Sequence, residues 1–405
     1  MNIFCLALVA AVVTTCVHAV PQIIPLRNYS NETTPSTILT LEAGANLYLA
    51  SNDDSSLLQQ IQINSGSSTL NLDQLLTMPY MSVADNLVIK SSIGPATAAQ
   101  LTGYLYVTTT SQANDNTFFV TVVNGPTTLS RNDGKSTTVI LNTQTSTVNA
   151  PFDNPDKTTY VTNIQQANEI NLNFHYGVPE ENWNTATTNQ FFENPQYIPN
   201  YYDNLTEADP TRAFFTNIEP LQINLPYWYI TSNGKYSMAL DSKYMNVHVQ
   251  NPQTESVTGL VMISDAFQPQ TVNFKVDPTK NGTTGLLMST FLDDRVNLYL
   301  VKSDGTSSQS YDSTTTIKHG QFVSDFAATQ LFINSTSVKP GSLYCQYFVI
   351  SGISMFTVPP TTPPAPTTQP AVPSTSTIVT TTKSSRSLDL IMSSLMFLVY
   401  ILHSQ

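Results

Sequence analysis

Trp228 stands between Tyr227 and Tyr229 in the run PYWYI (226–230). In an extended strand, neighbouring side chains point to opposite faces, so Trp228 takes one face and the two tyrosines the other. Rings presented on a free face stack on sugars or anchor a protein partner. The same pattern also serves core packing or a contact between domains. Tyr227, Trp228 and Tyr229 are therefore the candidate ligand-binding residues, with that packing role as the alternative. A second chemistry is covalent: five N-x-[ST] sequons, at Asn28, Asn31, Asn204, Asn281 and Asn334, offer sites for N-glycans.

Other reactive side chains are few. Between the two ends of the chain the histidines are His175, His248 and His319, and no two stand at metal-ligand spacing. There is no His-Glu-x-x-His pair and no Gly-x-Ser-x-Gly elbow. Asp53-Asp54 and Asp293-Asp294 offer carboxylates to a calcium site but read more simply as solvated turn acids. Glu180 and Glu181 read as loop surface, since no opposing carboxylate is in evidence for a glycosidase pair. These observations point to a protein that is not an enzyme and needs no cofactor or metal. The net charge of −12, with 11% charged residues, argues against nucleic acid as a partner.

The ends of the chain read as targeting and display. An apolar run from Ile3 to Val13, closing on Val17-His18-Ala19, predicts a signal peptide over 1–19. That peptide carries Cys5 and Cys16, which leaves Cys345, in SLYCQYFVI, without a partner in its own chain and best read as a buried thiol. Residues 357–387 are rich in Thr and Pro, a composition that prevents a core and suits an O-glycosylated, mucin-like stalk. The apolar tail 388–405 is too short to span a bilayer as a helix. With Ser384, Ser385 and Ser387 before it, it matches a GPI attachment signal with Ser385 as the attachment residue. A short tail-anchor and an unprocessed tail stay open. The expected location is the outer face of the plasma membrane, or secretion.

Between the ends, short alternating or β-branched runs recur, such as STTVILNTQ, QTVNFKV and LYCQYFVI, separated by turn residues. RNDGKS (131–136), SNGKYS (232–237) and SDGTSS (303–308) carry the Asn-Gly or Asp-Gly pairs that two-residue hairpins favour. Short helical turns are expected near 72–76 and 324–329. The predicted class is all-β, with two β-sandwich regions of jelly-roll type at 20–200 and 201–356. The stretch 174–215, rich in Asn, Pro and aromatic residues, reads as a long ordered loop packed on one or both. NLYLASNDDSS (46–56) resembles NLYLVKSDGTS (297–307), and 87–107 resembles 331–350. Duplication and shared composition both explain these matches.

Taken together, the signal peptide, β-rich body, Thr/Pro stalk and GPI-type tail resemble those of nematode secreted proteins with CUB-like domains. The segments LVIKSSI…LTGYLYV and LFINSTS…YCQYFVI are similar to the last strands of such domains. The resemblance implies β-sandwich domains at the cell surface and an association with innate defence. The functional expectation is a non-enzymatic, glycosylated surface protein that binds a glycan or an extracellular protein, held to the membrane through its C-terminal anchor. A structural coat component without a ligand, and a secreted hydrolase whose site is not recognisable in the sequence, are the alternatives.

Overall fold

The computed structural model describes residues 21–351 except 33–35, 85, 133, 144–156, 181–188, 199–210, 246–247, 264–267, 278, 293–295, 314–317 and 338–340. The expected signal peptide, the stalk, the tail with Ser385, and Asn204 lie outside the described residues. What is described is all-β, as expected, with helices of no more than five residues.

Eight strands form the first sandwich: β1 (Gln22–Pro25), β2 (Ser36–Thr40), β3 (Asn46–Ala50), β4 (Ile61–Ser65), β5 (Ser68–Asn71), β6 (Met81–Ser82), β7 (Asn86–Ser91) and β8 (Tyr104–Val107). They pair in two antiparallel sheets, β1-β8-β3-β6 and β2-β7-β4-β5. Alternation sends Leu47, Leu49, Leu105 and Val107 from one sheet, and Ile61, Ile63, Leu87 and Ile89 from the other, into a shared core. Of the two helical turns expected, the one at 72–76 is present as Leu72–Leu75, whereas 324–329 is irregular. Three further short α-helices, Ser55–Leu58, Pro95–Ala98 and Thr110–Asn114, are too brief to leave a period in the sequence. The last is fixed by a capping box: the Thr109 hydroxyl accepts from the Gln112 amide N–H, and Gln112 Oε1 accepts from Thr109 N–H, both at 3.1 Å.

The second sandwich uses β9 (Phe118–Val123), β10 (Thr127–Arg131), β11 (Ser136–Asn142), β12 (Thr159–Gln166), β13 (Leu172–Tyr176) and β14 (Gln190–Asn194), then, after a two-stranded ribbon of β15 (Gln196–Ile198) and β16 (Thr211–Ala213), β17 (Leu221–Ile223), β18 (Tyr227–Ser232) and β19 (Tyr236–Asp241). Its sheets run β14-β13-β18-β11-β9 and β10-β19-β12-β17, with β9 parallel to β11. Strands on both sides of residue 200 thus share one sheet, since β13 pairs with β18. The aromatic stretch 174–215, expected as a loop, instead supplies β14, β15 and β16. Phe191 and Phe192 give it a reason to order, because both are buried in the second core.

The third sandwich follows with β20 (Val249–Gln250), β21 (Val257–Ile263), β22 (Gln270–Asn273), β23 (Gly282–Leu292), β24 (Val296–Val301), β25 (Ser307–Ser313), β26 (Lys318–Val323), β27 (Gln330–Ser335) and β28 (Gly341–Ser351). Its sheets run β21-β28-β23-β26 and β20-β22-β27-β24-β25. Among the described residues each sandwich has a core of its own, so three stand where the sequence suggested two regions.

Two expectations are corrected by the strand pairing. Of the three Gly-containing turns, only SDGTSS joins paired neighbours, β24 and β25, and only its Gly305 has the positive φ (+79°) that a tight hairpin demands. The other two link strands in opposite sheets, so they are arches between layers rather than hairpins. The suggested duplication also fails. The sequence match equates β3 with β24 and β8 with β28, yet β3 and β8 pair while β24 and β28 lie in different sheets. Short alternating strands of one composition look alike whatever their place in a fold.

Candidate functional site

The aromatic triplet of β18 alternates as expected, and both faces of its sheet are covered. Trp228 is fully buried in the second core, its indole N–H donating to Thr159 Oγ1 at 3.2 Å. On the other face, Tyr229 is buried and Tyr227 half-buried in a cluster with Tyr104, Tyr106 and Ala50 of the first sandwich. Tyr227 meets Tyr104 edge-on, ring centres 5.9 Å apart. The triplet does not form an open binding face. It joins two sandwiches, and the continuous burial of β11 has the same cause. The Tyr104 hydroxyl completes the joint by donating to the Pro226 carbonyl at 2.6 Å.

The other sequence candidates also have defined places. Asp53 is a brace: Oδ1 accepts from Thr102 N–H at 2.9 Å, and Oδ2 from Gly103 N–H and the Ser51 hydroxyl, both at 2.7 Å. Asp54 caps the Ser55–Leu58 helix through Ser56 N–H. Glu180 is exposed; Glu181, Asp293 and Asp294 lie outside the described residues. Cys345 is buried and free, and burial pushes its thiol up to about 12. His175 is buried and stacks on Tyr229 at 4.6 Å. Among the sequons, Asn28, Asn31 and Asn281 are exposed and Asn334 is half-buried.

A cleft between the second and third sandwiches brings together groups that sequence spacing could not. Residues 217–219 dock on β21: Thr258 N–H donates to the Asn217 carbonyl at 3.1 Å, and Glu219 N–H to the Thr258 carbonyl at 2.9 Å. Beside this seam the cleft is lined by Tyr160, Glu219, Tyr244, His248 and Asn251, with Leu260, Val261 and Met262 among its apolar contacts. Its frame is made of amides. Gln222 donates to Thr158 Oγ1 at 2.6 Å and accepts from Met245 N–H at 2.9 Å. Gln250 donates to the Leu260 carbonyl at 3.1 Å and accepts from the Tyr347 hydroxyl at 2.6 Å. Gln270 Nε2 lies 2.7 Å from His248 Nδ1.

With those amides engaged, the groups that face the cleft without a hydrogen bond among the described residues include the Glu219 carboxylate and the Tyr160 hydroxyl. Burial raises the Glu219 pKa above the ordinary carboxylate value. Lys243 lies over the Tyr160 ring at 5.0 Å and pairs with Asp241 at 3.4 Å. A carboxylate, a phenol and a second tyrosine lining one cleft suit hydroxyl-rich ligands, which offer both donors and an apolar ring face. The site is not legible in the sequence because its residues come from strands and loops as far apart as Tyr160 and Gln270, with no local motif.

A family model described as "Transmembrane glycoprotein" matches residues 42–399. That description does not name CUB-like domains, and the resemblance to that family is not confirmed. No curated protein matches the sequence. Among solved structures, a cycloalternan-forming enzyme from Listeria monocytogenes in complex with a pentasaccharide substrate aligns at 8% identity and TM-score 0.15, over 80% of this chain and 29% of that one. The VP2 subviral particle of infectious bursal disease virus aligns at 10% identity and TM-score 0.11, over 82% and 72%. The chain thus spans under a third of the enzyme's length, and scores this low inform neither fold nor function.

Proposed function

We propose a function from one premise: the chain belongs to the transmembrane glycoprotein family whose model covers residues 42–399. On that premise it is a surface glycoprotein, and we read it as a non-enzymatic binder that takes a glycan into the cleft between its second and third sandwiches. The observation that carries this reading is the presence of the Glu219 carboxylate and the Tyr160 hydroxyl in one cleft whose glutamine amides are committed to the frame. A free or protein-borne glycan fits the same groups, so an extracellular glycoprotein is the wider partner class.

Attachment through a GPI anchor at Ser385 belongs to the same proposal. No helix among the described residues is long and apolar enough to cross a membrane. A role in innate defence rests on the CUB-like resemblance alone. A structural coat without a ligand is the alternative, and it expects the cleft to be inert.

A glycan array probed with the full chain tests the reading. The expected outcome is selective binding to a set of related glycans, reduced at least tenfold by Glu219→Gln and by Tyr160→Phe. No binding to any glycan, or binding indifferent to both substitutions, sinks it. Attachment is read separately: phosphatidylinositol-specific phospholipase C should release the protein from cells, and retention by cells whose other GPI proteins are released would point to a spanning or tail-anchored form.

A further inference from the structure

On the outer face of the third sandwich two rings lie beside a sequon. Along β27, Leu331 and Ile333 are buried in the core, so Phe332 and Asn334 point the other way. On β24, Leu298 and Leu300 are buried, which puts Asn297 and Tyr299 on the same outer face. The antiparallel register sets Tyr299 opposite Phe332 and Asn297 opposite Asn334. The two rings stack, with centres 6.3 Å apart and planes 26° from parallel. Both are half-buried, and neither belongs to a buried cluster.

Asn334 is two residues on from Phe332, about 7 Å along the strand. Its Oδ1 accepts from Ser335 N–H at 2.8 Å, and its Nδ2 has no hydrogen bond among the described residues. Thr336, which completes the sequon, is exposed just beyond the strand's end at Ser335. The other described sequons lack such a platform. Two residues before Asn28 and Asn31 stand Leu26 and Tyr29, both buried, and before Asn281 stands Thr279.

We propose that Asn334 carries an N-glycan whose first N-acetylglucosamine lies against the Phe332–Tyr299 pair and forms part of the third sandwich. The glycan comes from a lipid-linked oligosaccharide diphosphate. Nδ2 forms the bond to the anomeric carbon, the bond from that carbon to phosphate breaks, and the lipid diphosphate and the Nδ2 proton leave. The sugar's C–H face carries weak positive charge and meets the negative faces of the rings. It also takes apolar ring surface out of water, which neither ring achieves alone. This inference does not rest on the cleft and fails or stands without it.

The test uses the full chain made in glycosylating secretory cells. Peptide mapping should find Asn334 occupied. Thr336→Ala, which removes the sequon and leaves the rings, should lower the Tm by about 2–4 °C. In a Phe332→Leu background the same change should lower it by less than about 1 °C. Trimming all glycans to the first sugar should leave the gap between wild type and Thr336→Ala intact, because only that sugar reaches the rings. An unmodified Asn334, an equal loss with and without Phe332, or a gap that closes on trimming each overturns the proposal.

Discussion

Gln346 and Glu193 hold the second and third sandwiches together by paired hydrogen bonds. Gln346 Oε1 accepts from the Glu193 amide N–H, and Gln346 Nε2 donates to the Glu193 carbonyl, both at 2.8 Å. Gln346 is fully buried on β28, and Glu193 lies on β14, the edge strand of the second sandwich. One side-chain amide therefore does for that edge what a neighbouring strand would do, satisfying backbone groups that have no water to turn to.

Replacing Gln346 by Leu keeps the volume and removes both bonds to Glu193, together with the 3.0 Å bond from Gln346 Nε2 to Thr258 Oγ1. A buried donor and a buried acceptor are then left unpaired, each costing about 1–3 kcal/mol. The expected result is a Tm lower by several degrees, read by calorimetry. A Tm within about 1 °C of wild type would mean that water enters the seam and replaces the amide.

His175 should make the protein acid-sensitive. Its Nδ1 lies 3.2 Å from Asn189 Oδ1 and its Nε2 lies 3.0 Å from the Thr231 hydroxyl. Asn189 Nδ2 donates to the Tyr176 carbonyl and the Tyr229 hydroxyl, so its Oδ1 is an acceptor and the proton of the neutral imidazole is assigned to Nδ1. Burial lowers the pKa of His175 from 6.5 to about 4. The unfolded chain thus binds a proton that the folded one refuses. The stability this group contributes is whole above pH 6.5 and is lost as pH falls towards 4, about 3 kcal/mol in all. The difference between wild type and His175→Gln in denaturant titrations isolates this group from the carboxylates. A difference that is flat between pH 7 and pH 4 would refute the assignment.

Much of the fold was legible, and the reason is local. The all-β class, the inward leucines of the two Asn-Leu-Tyr-Leu segments and the alternation of Tyr227, Trp228 and Tyr229 all follow from period two, which is a property of a single strand. What covers a face is not such a property. Trp228 and Tyr229 read as possible binding aromatics because nothing in PYWYI announces that β18 lies in the middle of a sheet covered on both sides. The same blindness produced the two spurious hairpins, since Asp-Gly and Asn-Gly mark a change of direction and not the sheet in which the next strand lands. The cleft was illegible for a further reason: Tyr160 and Glu219 line one cleft because 217–219 docks on Thr258, a long-range contact without a motif.

Cys345 should be inert in the folded protein. It is fully buried on β28, with its thiol pushed up to about 12. At pH 8 only about one thiol in ten thousand would then be ionised, and the thiolate is the reactive form. Labelling with an Ellman-type disulfide reagent should be slow in native conditions and complete in denaturant. A reducing agent should leave the Tm unchanged. Rapid native labelling, or a reducible dimer, would place Cys345 at a surface that opens.

The two Asn-Leu-Tyr-Leu segments share a sequence and differ in what covers their tyrosines, which allows a direct separation of core from face. Leu47 and Leu298 are both fully buried, in the first and third cores. Either one changed to Ala should cost about 2–5 kcal/mol, the spread reflecting how far each core collapses into the space left. Tyr48 packs against Tyr80 at 5.7 Å and Tyr106 at 6.1 Å, in the cluster that joins the first sandwich to the second. Tyr299 meets only Phe332 among the described rings, on an outer face. Tyr299→Ala should therefore cost about 0.5–1.5 kcal/mol, the worth of one aromatic pair, and Tyr48→Ala should cost more, because it opens a joint between sandwiches. The four variants are best compared in a Thr336→Ala background, where no glycan at Asn334 can add to the Tyr299 value. Equal losses for Tyr48 and Tyr299 would mean that the joint between the first two sandwiches is too weak to register in unfolding, and that the first sandwich melts on its own.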